Sequence, residues 1–539
     1  MSQTCADQLL DLLEAYGVDT IFGIPGVHTI ELYRTLAERP IHHVSPRHEQ
    51  GAGFMADGYA RASGKPAACL IITGPGMTNI ATAMGQALAD SVPMLVISSV
   101  NRSDTLGRGQ GRLHELPSQQ QLAAGVSVFS HTLQDPAALP EILARAFAIF
   151  YAARPGPVHI EIPIDLLDIL VPQTESRPIK VFPPAPMPAG IARAAEWLNQ
   201  AARPLLLFGG GCAAAPDAAR SLVERLQAPA LTTINAKGVL GLDHPLDLGA
   251  TMSLPASRKL AIDADVILAL GTELGETDYD VVFDGGFHLN GRLIRVDIDP
   301  EQLGRNHAAD LALVGDAGEA MAALVRALPE SRCDIPDDES RAAEVHQALA
   351  LYTDPELAPF VPLYRTLRAS LPEAIFVGDS TGPVYAGNFI ASLPAPRRWF
   401  NAATGYGTLG YGLPAALGAA LACPDSPVIA LVGDGGLQFV IGELATARDL
   451  NRPIAVVIWN DNGYEEIRRY MAAHEVPDVG VNLMAPDFSA LAGAYACRYR
   501  AVGDAISLGE ALAQLDEDAS PLLVEVDAVT WTNAPTYEI

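Results

Sequence analysis

Cysteine is scarce in this chain. Six are scattered over 539 residues, at Cys5, Cys69, Cys212, Cys333, Cys423 and Cys497. No two form a C-x-x-C pair, so neither a disulfide framework nor a zinc site is indicated. Basic residues are few as well. Lys and Arg number 35 against 63 Asp and Glu, a net charge of −28. Such a surface repels phosphate backbones and anionic lipid, so no nucleic-acid or membrane partner is expected. The acidic excess serves solubility, with a weak tilt toward a cationic partner or substrate. Long apolar runs are missing too: none approaches the ~20 residues a spanning helix needs. The opening MSQTCADQLLDLLEAYG has no basic n-region and no apolar h-region, so no signal peptide is expected. A soluble, cytoplasmic setting is the expectation that follows.

What is present reads as a globular protein. Hydrophobic residues make up 49% and charged residues 18%, which excludes disorder for the bulk of the chain. At ~100–200 residues per domain, three domains are expected. Short β-branched runs recur: ACLIIT (68–73), PMLVISS (93–99), VHIEI (158–162), PLLLF (204–208), VILAL (266–270), IFVGD (375–379), VIALVGD (428–434), IAVVIWN (454–460) and LLVEV (522–526). Alanine- and leucine-rich segments with helical spacing lie between many of them. The alternation predicts an α/β fold of three domains, each a mostly parallel sheet flanked by helices. Two connectors divide it. Residues 171–190 hold six prolines and suit neither helix nor central strand; residues 332–340 are charged and proline-interrupted. The domains are expected at 1–170, 190–330 and 345–539.

Two turns carry the chemistry. The run VIALVGDGGLQF sends a buried strand into Gly433, Asp434, Gly435 and Gly436, and then into a helix. A glycine turn at a strand's carboxyl end, opening a helix, seats phosphate. An acid there repels phosphate unless a divalent cation stands between them. A second turn, Asn460-Asp461-Asn462-Gly463, follows 27 residues later behind another apolar strand. That spacing fits two adjacent parallel strands with a crossover helix. Asp434, Asp461 and a backbone carbonyl then make a hard-oxygen magnesium site. Alone, GDG is also compatible with an ordinary tight turn. A third glycine pattern, Gly405-x-Gly407-x-x-Gly410, matches the dinucleotide fingerprint, but no β-branched strand leads into it.

Taken together, these motifs resemble the binding signature of thiamine-diphosphate enzymes. PRHEQGAGFMADGYARASGKPA is similar to that family's glutamate segment. IITGPGMTNIATAMGQALADSVPMLVIS is similar to the loop and helix after it, and GYGTLGYGLPAALGAALA to the stretch beneath the thiazolium. The resemblance covers nearly the whole chain, in the order pyrimidine-binding, central and diphosphate-binding domain. It implies thiamine diphosphate and Mg²⁺ as cofactors. By this resemblance Glu49 hydrogen-bonds N1′ of the aminopyrimidine and favours the tautomer whose N4′ takes the C2 proton. Gly407 offers its carbonyl to the 4′-amino group, and Leu409 is the apolar wedge that keeps the coenzyme bent. Gly74, Pro75, Gly76 and Asn79 belong to the cofactor loop, and Gly433, Gly435 and Gly436 flank the metal. Asp434, Asp461 and the Gly463 carbonyl hold the ion. Relatives usually have Asn at the Asp461 position, so an extra charge stands here. The resemblance also implies a homodimer as the minimal unit, commonly a homotetramer. FAD is not expected: the central glycine turns and Cys212 read as structural.

The substrate side is read from further matches. His28, beside Val27, lies where some aldehyde-lyase relatives carry an active-site histidine. His114 and Glu115 match the Gln-Glu segment of acetolactate synthases. His42 and His43 read as structural. Ile467 falls where pyruvate decarboxylases have a catalytic glutamate, which argues against that reaction. Glu465 and Glu466 open the helix after the metal turn, and Glu466 offers a carboxylate to a cationic substrate tail. A guanidinium suits it by planar bidentate pairing. A solvated helix start explains both equally well. The runs GRLHELPSQQ and NGYEEIRRYM resemble an acetolactate-synthase-like subgroup of decarboxylases. That implies 5-guanidino-2-oxopentanoate going to 4-guanidinobutanal and CO2, with a carboligase or an aldehyde lyase as the alternatives.

Overall fold

The apolar runs fold as the inner strands of three sheets. The computed structural model describes residues 2–173, 177–281, 284–330, 338–352, 354–515 and 518–533. The first sheet has six parallel strands in the order His42–Val44, Thr20–Gly23, Ala67–Ile71, Met94–Val100, Pro157–Pro163 and Phe129–Thr132. The middle sheet has five, ordered Ala230–Thr232, Pro204–Phe208, Val266–Leu270, Arg292–Asp297 and Leu311–Val314. The last has six: Trp399–Asn401, Ile375–Gly378, Val428–Gly433, Ile454–Asn460, Leu522–Asp527 and Arg498–Val502. All pairings in these sheets are parallel, so helices cover both faces, as the continuous apolar strands require.

In each sheet the strand order reverses between the first and third strands in sequence. Ligands of open α/β sheets bind outside the carboxyl ends of the strands at such a point. In the middle sheet the glycine turns at this place pack on each other: a Cβ on Gly209 would lie 2.1 Å from the Gly271 carbonyl oxygen. Cys212 is fully buried there and its thiol donates to the Leu270 carbonyl at 3.4 Å.

The outer sheets share one core. Helix Glu49–Ser63 packs on helix Gly412–Ala422. The approach is close enough to demand glycine on both sides: a Cβ on Gly58 would stand 2.0 Å from the Ala415 carbonyl, and one on Gly418 1.9 Å from that of Met55. A polar joint sits among these apolar residues. Arg61 pairs with Asp57 at 2.7 Å and Asp90 at 2.6 Å, and Tyr411 donates to Asp57 at 2.5 Å. Asp90 also accepts from Asn235 of the middle sheet's turn and from Thr404. One carboxylate thus ties all three sheets together.

Two connectors behave differently. Leu170–Pro172 pairs antiparallel with Ser2–Thr4, and residues 177–187 run without helix or strand until helix Pro188–Gln200 begins. Most of the expected second connector, 332–340, and Cys333 lie outside the described residues. One strand departs from expectation. Trp399–Asn401 does lead toward the Gly405 loop. It is a three-residue aromatic edge strand without the β-branched alternation that marks longer ones.

Candidate functional site

The residues expected on the pyrimidine side gather at the carboxyl edge of the first sheet. Glu49 is the first residue of its helix, and His48 caps it by accepting from the Gln50 N–H at 3.1 Å. The half-buried Glu49 carboxylate accepts from Asn79 Nδ2 at 2.8 Å. Asn79 lies on helix Pro75–Ala89, which follows Gly74. Gly74 has φ +71°, and a Cβ there would lie 2.7 Å from the His114 carbonyl oxygen, so only glycine suits the turn. A Cβ on Gly76 would stand 3.5 Å from Glu49 Oε1, which places Gly76 beside the carboxylate.

His28 and His114 meet edge to face, with ring centroids 5.2 Å apart. The Nδ1 of each ring is buried without a hydrogen-bond partner. Burial, helped by His114, holds the His28 imidazole below its ordinary value. His114 itself adopts φ +60°, a costly conformation that concentrates at functional sites. The neighbours differ. Val27 is exposed, and Glu115 turns back on its own loop to accept the Gln110 and Arg112 N–H groups. His42 is exposed and His43 bonds Tyr33, consistent with structural roles.

The residues expected on the diphosphate side gather at the last sheet. Strands Val428–Gly433 and Ile454–Asn460 are adjacent, with Gly433 paired to Trp459, so the two oxygen-rich turns share one edge. Helix Glu443–Leu450 is the crossover between them. Asp434 is 1% exposed and both of its carboxylate oxygens lack a hydrogen-bond partner. Burial raises its pKa. Burial also pushes the Asp461 carboxyl up to about 7, with the charges of Asp434 and Glu465 adding to the shift. A buried carboxylate beside a half-buried one whose charge it opposes calls for a cation. Among the described residues no group of three His, Cys, Asp or Glu could hold a metal ion. The pair would leave the remaining positions to the Gly463 carbonyl, diphosphate and water, which fits Mg²⁺.

The cradle is narrow. A Cβ on Gly435 would press into the Tyr464 ring at 2.8 Å, and one on Gly436 would reach Asp379 Oδ2 at 3.0 Å. Asp379 was not legible in the sequence. It is fully buried at the end of Ile375–Gly378, accepts the Ser380 and Gly410 N–H groups at 2.9 Å, and is pushed up to about 6 by burial. Its bond to Gly410 anchors the loop that carries Gly407, at φ +72°, and half-buried Leu409. Glu443 was missed as well. It accepts from the Arg47 and His48 N–H groups at 3.0 and 3.1 Å, tying the crossover helix to the start of the Glu49 helix.

Glu465 and Glu466 open helix Glu465–Ala473. Glu465 pairs with Arg468 through Nε at 2.7 Å. Glu466 is half-buried and holds the Arg469 guanidinium. A Cβ on Gly382 would lie 3.4 Å from Glu466 Oε1. Glu466 therefore lies near the start of helix Gly382–Ile390, which follows strand Ile375–Gly378. Ile467 is exposed.

The chain matches known proteins along most of its length. Residues 3–122 match the family described as thiamine pyrophosphate enzyme, N-terminal TPP binding domain. Residues 191–324 match its central domain and residues 378–526 its C-terminal TPP binding domain. A Pseudomonas aeruginosa protein named probable 2-ketoarginine decarboxylase AruI is 46% identical over 501 residues, 92% of this chain and 89% of its own length. The acetolactate synthase large subunit of Parasynechococcus marenigrum is 32% identical, covering 97% of this chain and 87% of its own. The isozyme 1 large subunit of Escherichia coli acetolactate synthase is 32% identical, covering 85% and 82%.

Proposed function

Because the chain belongs to the thiamine pyrophosphate enzyme family, we propose that it is a Mg²⁺-dependent decarboxylase of a 2-oxo acid. The leading substrate is 5-guanidino-2-oxopentanoate, with 4-guanidinobutanal and CO2 as products. The observation that carries this reading is Glu466. It stands by the metal turn and lies near Gly382 at the start of helix Gly382–Ile390, and its present partner, the partly exposed Arg469 of its own helix, would give way to a substrate guanidinium. The 46% identical relative named for 2-ketoarginine supports the same choice.

When bound, the cofactor would supply a carbon nucleophile and an electron sink for loss of CO2. Asp434, Asp461 and the Gly463 carbonyl would hold Mg²⁺ and through it the diphosphate. Glu49, oriented by Asn79, handles the proton of the aminopyrimidine. His28 and His114, edge to face with unpartnered Nδ1 atoms, would donate or accept a proton on the substrate side. Glu466 binds the distal cation and Glu465 supports the helix start through Arg468. Two copies would complete two sites, and the working location is the cytoplasm.

The test is CO2 release by purified protein with thiamine diphosphate and Mg²⁺. The panel is 5-guanidino-2-oxopentanoate, pyruvate, benzoylformate and a branched 2-oxo acid. Preference for the guanidino acid is expected. Preference for pyruvate with acetolactate as product would install the carboligase reading instead.

A further inference from the structure

A buried amide lies under the pyrimidine-side residues. Gln119, 3% exposed, is the first residue of helix Gln119–Ala124. Its Oε1 accepts from the Gly74 N–H at 3.0 Å and from the Thr73 hydroxyl at 2.9 Å. Its Nε2 donates to Ser98 Oγ, the Ser99 carbonyl and Glu161 Oε2, each at 3.0 Å. Ser98 and Ser99 lie on one central strand and Glu161 on the next. Glu161 is 3% exposed and also accepts from Thr132 at 2.6 Å. One side chain therefore clamps the turn at Gly74 to two inner strands.

That turn matters to three residues. Gly74 starts the helix whose Asn79 holds Glu49. A Cβ on it would meet the His114 carbonyl oxygen at 2.7 Å, and the Thr73 hydroxyl oxygen, whose proton goes to Gln119, lies 3.4 Å from that carbonyl. His114 meets His28. We propose that Gln119 is the positioning residue of the pyrimidine half, setting Glu49 and the His28–His114 pair at once through Gly74. It touches none of the reacting groups itself.

The chemistry of the clamp gives a test that a merely structural role would not pass. In Gln119→Glu, a protonated carboxyl keeps the carbonyl acceptor for Gly74 and Thr73 and an O–H donor for Ser99 or Glu161. Once ionised it loses the donor and opposes Glu161. The titratable groups around it are Glu161, His159 through Ser98, His114 through Thr73, and His28 behind His114. Burial pushes His159 down to about 3, so it stays neutral. Only a carboxyl at position 119 adds a new ionisation to the clamp.

The experiment uses the holoenzyme with Mg²⁺ and follows deuterium exchange at C2 of bound thiamine diphosphate, with coenzyme Kd and melting temperature, from mildly acid to mildly alkaline pH. Gln119→Leu is expected to slow exchange about 10–100-fold at every pH, with Kd within a few-fold. Gln119→Glu is expected to match wild type at low pH and fall to the Leu level as pH rises. Wild-type exchange in both variants overturns the proposal. So does a Gln119→Glu loss that tracks melting temperature and ignores pH. Should Gln119→Leu fail to fold, the Gln119→Glu profile decides alone. The proposal rests on the assignment of Glu49. Undiminished exchange in Glu49→Gln would refute that assignment separately, whatever Gln119 does.

Discussion

The first and last sheets each have six parallel strands in the same order, reversing at the same place. Their open edges nevertheless differ in kind. At the first sheet the carboxylates and amides close on one another, although the Nδ1 atoms of His28 and His114 stay unpartnered: Gln119 satisfies Gly74, Thr73 and Glu161, and Asn79 satisfies Glu49. At the last sheet the charges are left open: Asp434 has two orphaned oxygens, and Asp461 is raised to about 7. One edge arrives pre-organised by hydrogen bonds. On the proposed reading the other would be organised by a cation. A shared architecture would then serve two tasks, proton handling where geometry must be fixed and anion binding where charge must be supplied.

The sharpest way to break this contrast is Glu49→Gln. The amide keeps the shape and the contact with Asn79 but cannot exchange a proton. Turnover is expected to fall about 10²–10⁴-fold while thiamine diphosphate and Mg²⁺ still bind. Steady-state kinetics with calorimetric titration of the coenzyme checks both halves. Retained turnover would remove Glu49 from proton handling.

Asp434→Asn probes the other edge and should give the opposite pattern. Coenzyme affinity in Mg²⁺ is expected to drop roughly 100-fold, because a charged ligand is lost. The apo protein, by contrast, should melt higher than wild-type apo protein, since an unpaired buried carboxylate has been neutralised. If the apo variant melts lower, the charge at this edge is already compensated and the contrast between the sheets is wrong.

The parts of this plan that were legible in the sequence are those with local signals. A long apolar strand running into Gly433-Asp434-Gly435 announces a strand, a turn and a helix within a dozen residues. The parallel inner strands follow from the same runs. Short edge strands such as His42–Val44 and Trp399–Asn401 give no such alternation. Asp379, Glu443, Gln119 and Asp90 were illegible for another reason. Each acts on groups far away in the chain, as Glu443 does on Arg47, 396 residues off, and no local pattern encodes a partner at that distance. The state of a recognised residue is equally hidden. Glu466 was visible as a helix-start acid, but its pairing with Arg469 and its approach to Gly382 needed the fold.

Glu466→Leu tests that approach with a smaller expected effect. A hydrogen bond to a charged group contributes about 1.5–3 kcal/mol, so KM for the guanidino acid should rise about 10–100-fold. KM for a branched aliphatic 2-oxo acid should stay within a few-fold. Equal changes for both substrates would assign Glu466 to the helix start alone.

A pH dependence isolates the open charges of the last sheet. Without a cation, Asp461 ionises only around pH 7 when folded, against about 3.8 as its reference value. An acid whose folded pKa is raised binds more protons folded than unfolded. Its contribution is fully present below the unfolded value and is lost as pH rises toward the folded one. Apo protein should therefore lose stability between about pH 4 and pH 7 at this site. Mg²⁺ with thiamine diphosphate removes the need for that proton, so the rise in melting temperature on adding them should grow across the same window. Replacing Asp461 by Asn, the residue usual in relatives, should flatten that growth while leaving some stabilisation by Mg²⁺. Glu161 at the first sheet is buried and raised too, but its bonds are internal, so adding Mg²⁺ should not change its share of the pH dependence. A Mg²⁺-dependent rise that is the same size at pH 5 and pH 7 would show that Asp434 and Asp461 carry no cation-sensitive charge, and would erase the difference between the two sheets.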